Sequence, residues 1–235
     1  MAYTISWDES GDRLYETGTS QGVLYVMNDS GVYGDGVAWN GLTAVTESPS
    51  GAEETALWAD DGKYLSLRSR EEFGGTIEAY TYPDEFANCD GSIAIAKGVY
   101  MGQQRRKTFG FCYKTVVGND TMGEEYGYKI HLVYGATASP SEKSYATIND
   151  SPEAITFSWT FTTVPIDIDS AGEYRPTACL TIDSTEVGTT GMQNLMNYIY
   201  GDGTKAAKLP LPGEIPAIIS GNQSDTFVDY PGYVE

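Results

Sequence analysis

His131 is the only histidine in the chain. Ser-His-Asp and Cys-His catalysis and multi-histidine metal sites each need an imidazole beside a second group, so one ring weakens all three schemes together. It stands between Ile130 and Leu132, which predicts a sheet-face residue with a local hydrogen-bond partner. The three cysteines, Cys89, Cys112 and Cys179, are odd in number and widely spaced, giving neither a disulfide framework nor a zinc pattern. Cys112 and Cys179 lie in apolar runs and are expected as reduced core residues. Acidic pairs occur at Glu53-Glu54, Asp60-Asp61, Glu71-Glu72 and Glu124-Glu125. Glycoside hydrolysis needs two carboxylates ~5–10 Å apart across a cleft. Adjacent acids in a strand point apart, so these pairs are expected as solvated or interface charge. No calcium-loop, phosphate-loop or nucleophile-elbow motif occurs. The one basic run, Arg105-Arg106-Lys107, is too short and isolated to hold nucleic acid. It fits a sheet-edge gatekeeper or, the preferred reading, salt bridges to acids on a neighbouring subunit. No cofactor or metal is expected, and the chain does not read as an enzyme.

The elements that must hold these residues are mostly strands. Phe157–Thr163 alternates, with Phe157, Trp159 and Phe161 on one face and Ser158, Thr160 and Thr162 on the other, the period of a half-buried strand. Residues 128–134 repeat this through Tyr128, Ile130, Leu132 and Tyr134, residues 177–183 through Ala178, Leu180 and Ile182, and residues 108–117 through Phe109, Phe111 and Tyr113. Earlier strands are expected at 23–27, 37–46 and 76–82. Gly118-Asn119-Asp120, Ala138-Ser139-Pro140-Ser141 and Asn149-Asp150-Ser151-Pro152 supply turn signals between them. Pro83 begins a stretch that fits one helical turn. One helix is expected near 190–200, where Met192, Leu195, Met196 and Ile199 keep helical spacing. Thr189 or Thr190 can cap its start and Gly201 its end. Its stripe should lie across a sheet, and its lack of charge implies cover on more than one side.

Residues 47–73 carry both charge signs between two strand candidates. Insertions this long in a compact domain are usually functional or disordered, and Trp58, Tyr64, Leu65 and Leu67 argue against disorder. The stretch is expected to fold against a neighbouring subunit, with Glu53, Glu54, Trp58, Asp60, Asp61 and Tyr64 as its contact residues. Residues 220–235 read as an extended tail rich in Gly, Asp and Tyr, apart from a main domain over 1–219.

The chain has 235 residues, enough for one β-rich domain with its own core. Asp and Glu number 33 against 14 Lys and Arg, for a formal net charge of −19. Sequence-independent DNA binding draws on Lys and Arg that release counterions, so this balance argues against a DNA binder or a binder of anionic membranes. It does not argue against a conduit, whose wall should repel a polyanion rather than hold it. Residues 1–10 show no basic region followed by an apolar one, so no signal peptide is expected. No stretch approaches the ~18 apolar residues of a membrane span.

Several blocks together resemble the major tail (tail tube) proteins of long-tailed phages of Gram-positive hosts. They are SWDESGDRLYETG (6–18), GVAWNGLTAVTESPSGAEETALWADDGKYLSL (36–67), GGTIEAYTYPDEFANCDG (74–91), GQQRRKTFGFCYKTVVGND (102–120), GYKIHLVYGATASPSEKSYATINDSPEAITFSWTFTTVP (127–165) and PTACLTIDS (176–184). None is a catalytic motif; the likeness rests on their length and order across roughly 3–216. It implies a mainly β fold, a β-sandwich or partial barrel with one flanking helix, a long inter-strand loop at 47–73 and extended termini. It further implies a virion protein, assembled in the host cytoplasm, whose subunits close into rings, generally of six. Those rings stack into a tube carrying the tape-measure protein and, in passing, the genome. The partners so implied are other copies of the chain, the tape-measure protein and other tail proteins, with no membrane. Glu78, an acid among β-formers, is the candidate lumen residue, against a cross-strand salt bridge. Residues 216–235 have no counterpart in that family pattern. The rival reading is a carbohydrate-binding β-sandwich of adhesin or lectin type, which would need Trp39, Trp58 and Trp159 exposed on one face.

Overall fold

The computed structural model describes residues 5–148, 150, 153–168 and 174–221. The chain is mainly β. In order, the strands are β1 (Leu14–Val26), β2 (Val37–Trp39), β3 (Leu42–Glu47), β4 (Ser50–Gly51), β5 (Glu54–Ala59), β6 (Gly62–Arg68), β7 (Glu71–Glu72) and β8 (Gly74–Ala79). They continue with β9 (Ile93–Ala96), β10 (Val99–Met101), β11 (Phe109–Asn119), β12 (Gly123–Ala138), β13 (Phe157–Thr163) and β14 (Cys179–Asp183). Three helices follow, α1 (Ser184–Val187), α2 (Thr189–Tyr200) and α3 (Ile215–Ser220). Eight strands form one antiparallel sheet in the order β2-β1-β11-β12-β13-β8-β3, with β14 also on β12. A short 3-10 turn, Asp84–Asn88, follows Pro83.

The middle strands are buried on both faces, which explains their near-continuous apolar runs. Phe109, Phe111 and Tyr113 of β11 join a core with Leu24, Trp39, Ile77, Phe86, Trp159 and Phe161. The residues between them face the other way: Cys112, with Ile130, Leu132 and Tyr134 of β12 and Ile182 of β14, packs under the helices. The faces assigned by alternation are therefore correct, and each belongs to a different layer. The first core is aromatic, with Trp39 and Phe86 ring centroids 4.6 Å apart and Phe86 and Trp159 5.1 Å apart.

The sheet curls so that β3 returns over β1 and β11. The Tyr113 hydroxyl donates to the Glu47 carboxylate at 2.6 Å, yet no ladder joins β3 to β1 or β2, so the barrel stays open. The corner lies in β12. Its residues 129–133 pair with β14 and residues 136–138 with β13. Gly135 sits between them at φ +59, and a Cβ there would stand 2.1 Å from the Val164 carbonyl oxygen. Only glycine fits both the left-handed backbone and the close approach.

Helix α2 lies across the β1–β11–β12 face, as its spacing requires, with Met192, Leu195 and Ile199 buried. Its second cover is α3, whose Ile215 and Ile218 join the same core. Buried tyrosines fasten this layer: the Tyr25 hydroxyl donates to the Ile199 carbonyl at 2.6 Å and the Tyr134 hydroxyl to the Pro210 carbonyl at 2.9 Å. Two expectations need correction here. The α2 cap is Gly188, φ +78, and not Thr189 or Thr190. Asp183 caps the preceding turn α1 by accepting from the Thr185 N–H at 2.9 Å, and the chain breaks and restarts at the glycine. Cys179 is exposed, unlike Cys112 and Cys89, because alternation on β14 turns Ala178, Leu180 and Ile182 inward and leaves Cys179 on the opposite face. The 219/220 boundary falls in the last turn of α3. Of the expected tail only Ser220 and Gly221 are described, and the rest of it lies outside the described residues.

Candidate assembly surfaces

Three features of the sheet stand open. The first is a face. Where β13, β8 and β3 leave the helices behind, their inner side chains fill the aromatic core and their outer side is uncovered. Register aligns Ser158, Glu78 and Ala44 in one row and Thr160, Thr76 and Thr46 in the next. Thr76 and Thr160 hydroxyls lie 3.5 Å apart. The rows thus hold small and hydroxyl side chains with one carboxylate, Glu78, and no cation. Among the described residues Glu78 enters no ion pair, so the cross-strand salt bridge weighed for it is not formed.

The second feature is edge. Among the described residues β3 is unpaired on its outer side, as is β14. β2 covers only Gly22, Val23 and Leu24 of β1, leaving the first half of β1 as a further free edge. Free N–H and C=O groups along such edges template pairing with another chain.

The third feature is an arm. Residues 47–73 continue the β3–β8 hairpin outward as a two-stranded ribbon. Ser50 pairs with Glu72 and Gly51 with Glu71, then Glu54 with Arg68 out to Ala59 with Gly62. Asp60 and Asp61, with φ of 49° and 59°, close it with the twist that two-residue hairpin turns prefer. The sequence signal was present in the form Ala-Asp-Asp-Gly between two β-prone runs. Exposure is high along the ribbon: Trp58 is 71 % and Tyr64 75 % exposed. Glu54 is engaged within the ribbon by Lys63, by the Ser66 hydroxyl at 2.6 Å and by Arg68 at 3.9 Å, and the Lys63 bond draws its pKa down. Glu53 is exposed and its N–H takes the Ser69 hydroxyl oxygen at 3.1 Å.

The structure separates the members of the basic run. Arg106 reaches Asp90 at 3.5 Å and donates to the Ala138 carbonyl at 3.2 Å. Lys143 shares the same buried carboxylate. Lys107 pairs with Asp29 at 3.1 Å. Arg105 is exposed and enters no ion pair among the described residues.

His131 sits in a polar cluster that sequence reasoning did not assemble. Its ring stacks on Tyr113 with centroids 4.6 Å apart, and its Nε2 lies 2.9 Å from the Thr115 hydroxyl. Thr181 lies 3.3 Å from Nδ1. Glu16 and Glu47 approach to 3.6 and 3.8 Å, and Lys129 binds Glu16 at 2.7 Å. Burial pushes the ring's pKa down, with the two carboxylates opposing it. Residues from β1, β3, β11, β12 and β14 meet here, and only the curl of the sheet brings them together. The cluster is a clasp on that curl, and the local partner expected for His131 is Thr115.

Trp39 and Trp159 are 3 % and 1 % exposed. They fill the core and present no stacking face to a sugar.

No family model and no curated protein matches the chain. Among solved structures it is similar to the sheath/tube terminator of the PVC extracellular contractile injection system in its extended state. That match has 9 % identity and a TM-score of 0.32, over 76 % of this chain and 99 % of that one. A chain of the PVC sheath-tube complex in its extended state matches at 11 % identity and a TM-score of 0.30, over 69 % and 88 %. Likenesses at this level carry no argument about function.

Proposed function

We propose that the chain is a structural protein of a phage tail that polymerises into stacked rings, of six subunits as the sequence resemblance implies, around a lumen through which DNA passes. The observation that carries this is the uncovered face of β13, β8 and β3. Thr suits a solvated strand face; what distinguishes this face is that its aligned positions hold no Lys or Arg. It holds a row of Thr and Ser with a lone acid and ends at the free edge of β3. Such a surface suits the wall of a conduit, where cations would grip phosphate. Pairing of the β3, β14 or β1 edges between subunits would remove the unpaired backbone groups, as closure does within one barrel. The exposed arm, with Trp58 and Tyr64, would reach a neighbouring copy. Partners are other copies of the chain, a tape-measure protein and other tail proteins, and the place of action is the virion after assembly in the host cytoplasm.

Negative-stain electron microscopy of concentrated protein tests the reading. Tubes or stacked rings with a stain-filled centre are expected; isolated particles at every concentration and ionic strength would sink it.

A further inference from the structure

We propose that the tip of the β5–β6 arm of one copy docks on the β9–β10 hairpin of a second copy, its Asp60 and Asp61 set against Lys97. This names the acceptor of the arm and rests on the assembly reading above.

Two ribbons of the chain carry apolar side chains that its own core leaves uncovered. On the arm, register sets Leu57 opposite Leu65, and Leu57, Leu65 and Leu67 are 41–50 % exposed. On the hairpin, Ile93 stands opposite Met101, and Ile93, Ile95 and Met101 are 40–63 % exposed. Both surfaces leave water if they meet.

Charge decides that they meet each other and not their own kind. On the arm, Glu54 holds Lys63 and lies 3.9 Å from Arg68, and the turn itself presents the two acids Asp60 and Asp61. The hairpin is closed by Lys97 and Gly98. Lys97, and Arg105 in the segment that returns past Gly91 at the hairpin's base, enter no ion pair among the described residues. Arg106 and Lys107, the other cations of that region, already hold Asp90 and Asp29. Arm against arm would instead place four aspartates together, and like charges juxtaposed at an interface are costly.

The test uses two full-length chains in a Cys179→Ser background, which removes the exposed native thiol. One carries Ala59→Cys and the other Ala96→Cys, at exposed positions beside the two turns, so that Asp60, Asp61 and Lys97 all remain. Mixed at high concentration and treated with a short bismaleimide, they are expected to give a cross-linked product containing both chains, which neither gives alone. In parallel, Asp60→Lys with Asp61→Lys should abolish assembly, Lys97→Glu should do the same, and the variant carrying all three should restore it. Circular dichroism checks that each variant is folded. No mixed product while the wild type forms tubes overturns the docking and leaves the tube intact. Mixed product without tubes keeps the docking and removes the tube. Cross-linking of the Ala59→Cys chain to itself, or charge-reversed variants at either turn that assemble like wild type, also overturns it.

Discussion

At the scale of residues, His131 ties protonation to the fold. Its folded pKa lies below the ordinary value because burial disfavours the cation, with Glu47 and Glu16 only partly opposing. The unfolded chain therefore binds this proton first as pH falls. The stability the ring contributes is complete above about pH 6.5 and is lost as pH drops toward the lowered folded value. Replacing His131 with Gln should flatten that part of the stability–pH curve between neutral and mildly acidic pH, measured by urea denaturation against wild type. An unchanged difference between the two proteins across that window would show that the ring does not titrate differently on folding. Glu78 carries a prediction about position. In a Cys179→Ser background, Glu78→Cys should react with small and with polymer-linked maleimides in the monomer. In assembled tubes it should react only with the small reagent. Equal labelling by the large reagent in tubes would place that face outside.

At the scale of elements, the β12 corner and the arm have separable tasks. Gly135 allows one strand to serve two parts of the sheet. Gly135→Ala combines a left-handed backbone with a collision against the Val164 carbonyl, and should cost about 2 kcal/mol or more in chemical denaturation. The arm contributes to neither core, since no residue of β4 to β7 belongs to either cluster. Deleting residues 50–71 should therefore leave a cooperatively folded domain with nearly unchanged stability that fails to form tubes under the electron microscope. Normal tubes from that variant would remove the arm from the assembly. Helix α2 shows that residue type at a helix start does not settle its cap. Two threonines at its start are good caps by type, but a turn of helix ending in a glycine occupies the preceding positions and Asp183 supplies the side-chain cap one turn earlier.

At the scale of the molecule, charge sets when copies can meet. Two copies of the chain, each of net charge −19, repel over about a Debye length, ~8 Å at physiological ionic strength and ~3 Å at 1 M. Dilute protein in low salt should sediment as monomer, and raising salt should increase the assembled fraction measured by pelleting. Since the docking of the arm tip on Lys97 is itself electrostatic, very high salt should reverse part of that gain. A pelleted fraction indifferent to salt would show that the net charge does not control association.

Which residues share a face of each strand, and the position and buried stripe of α2, were legible in the sequence. Both follow from local periodicity, which needs no knowledge of what lies across the core. The sequence also marked residues 47–73 as set apart, though not as a ribbon. The folded molecule alone reveals that adjacent faces of β11 and β12 enter two different cores, that β12 turns at Gly135, that Arg106 is occupied by Asp90, and that His131 meets Glu16 and Glu47. Each of these depends on strands distant in the chain being brought together by the curl of one sheet, and alternation within a strand carries no information about its partners.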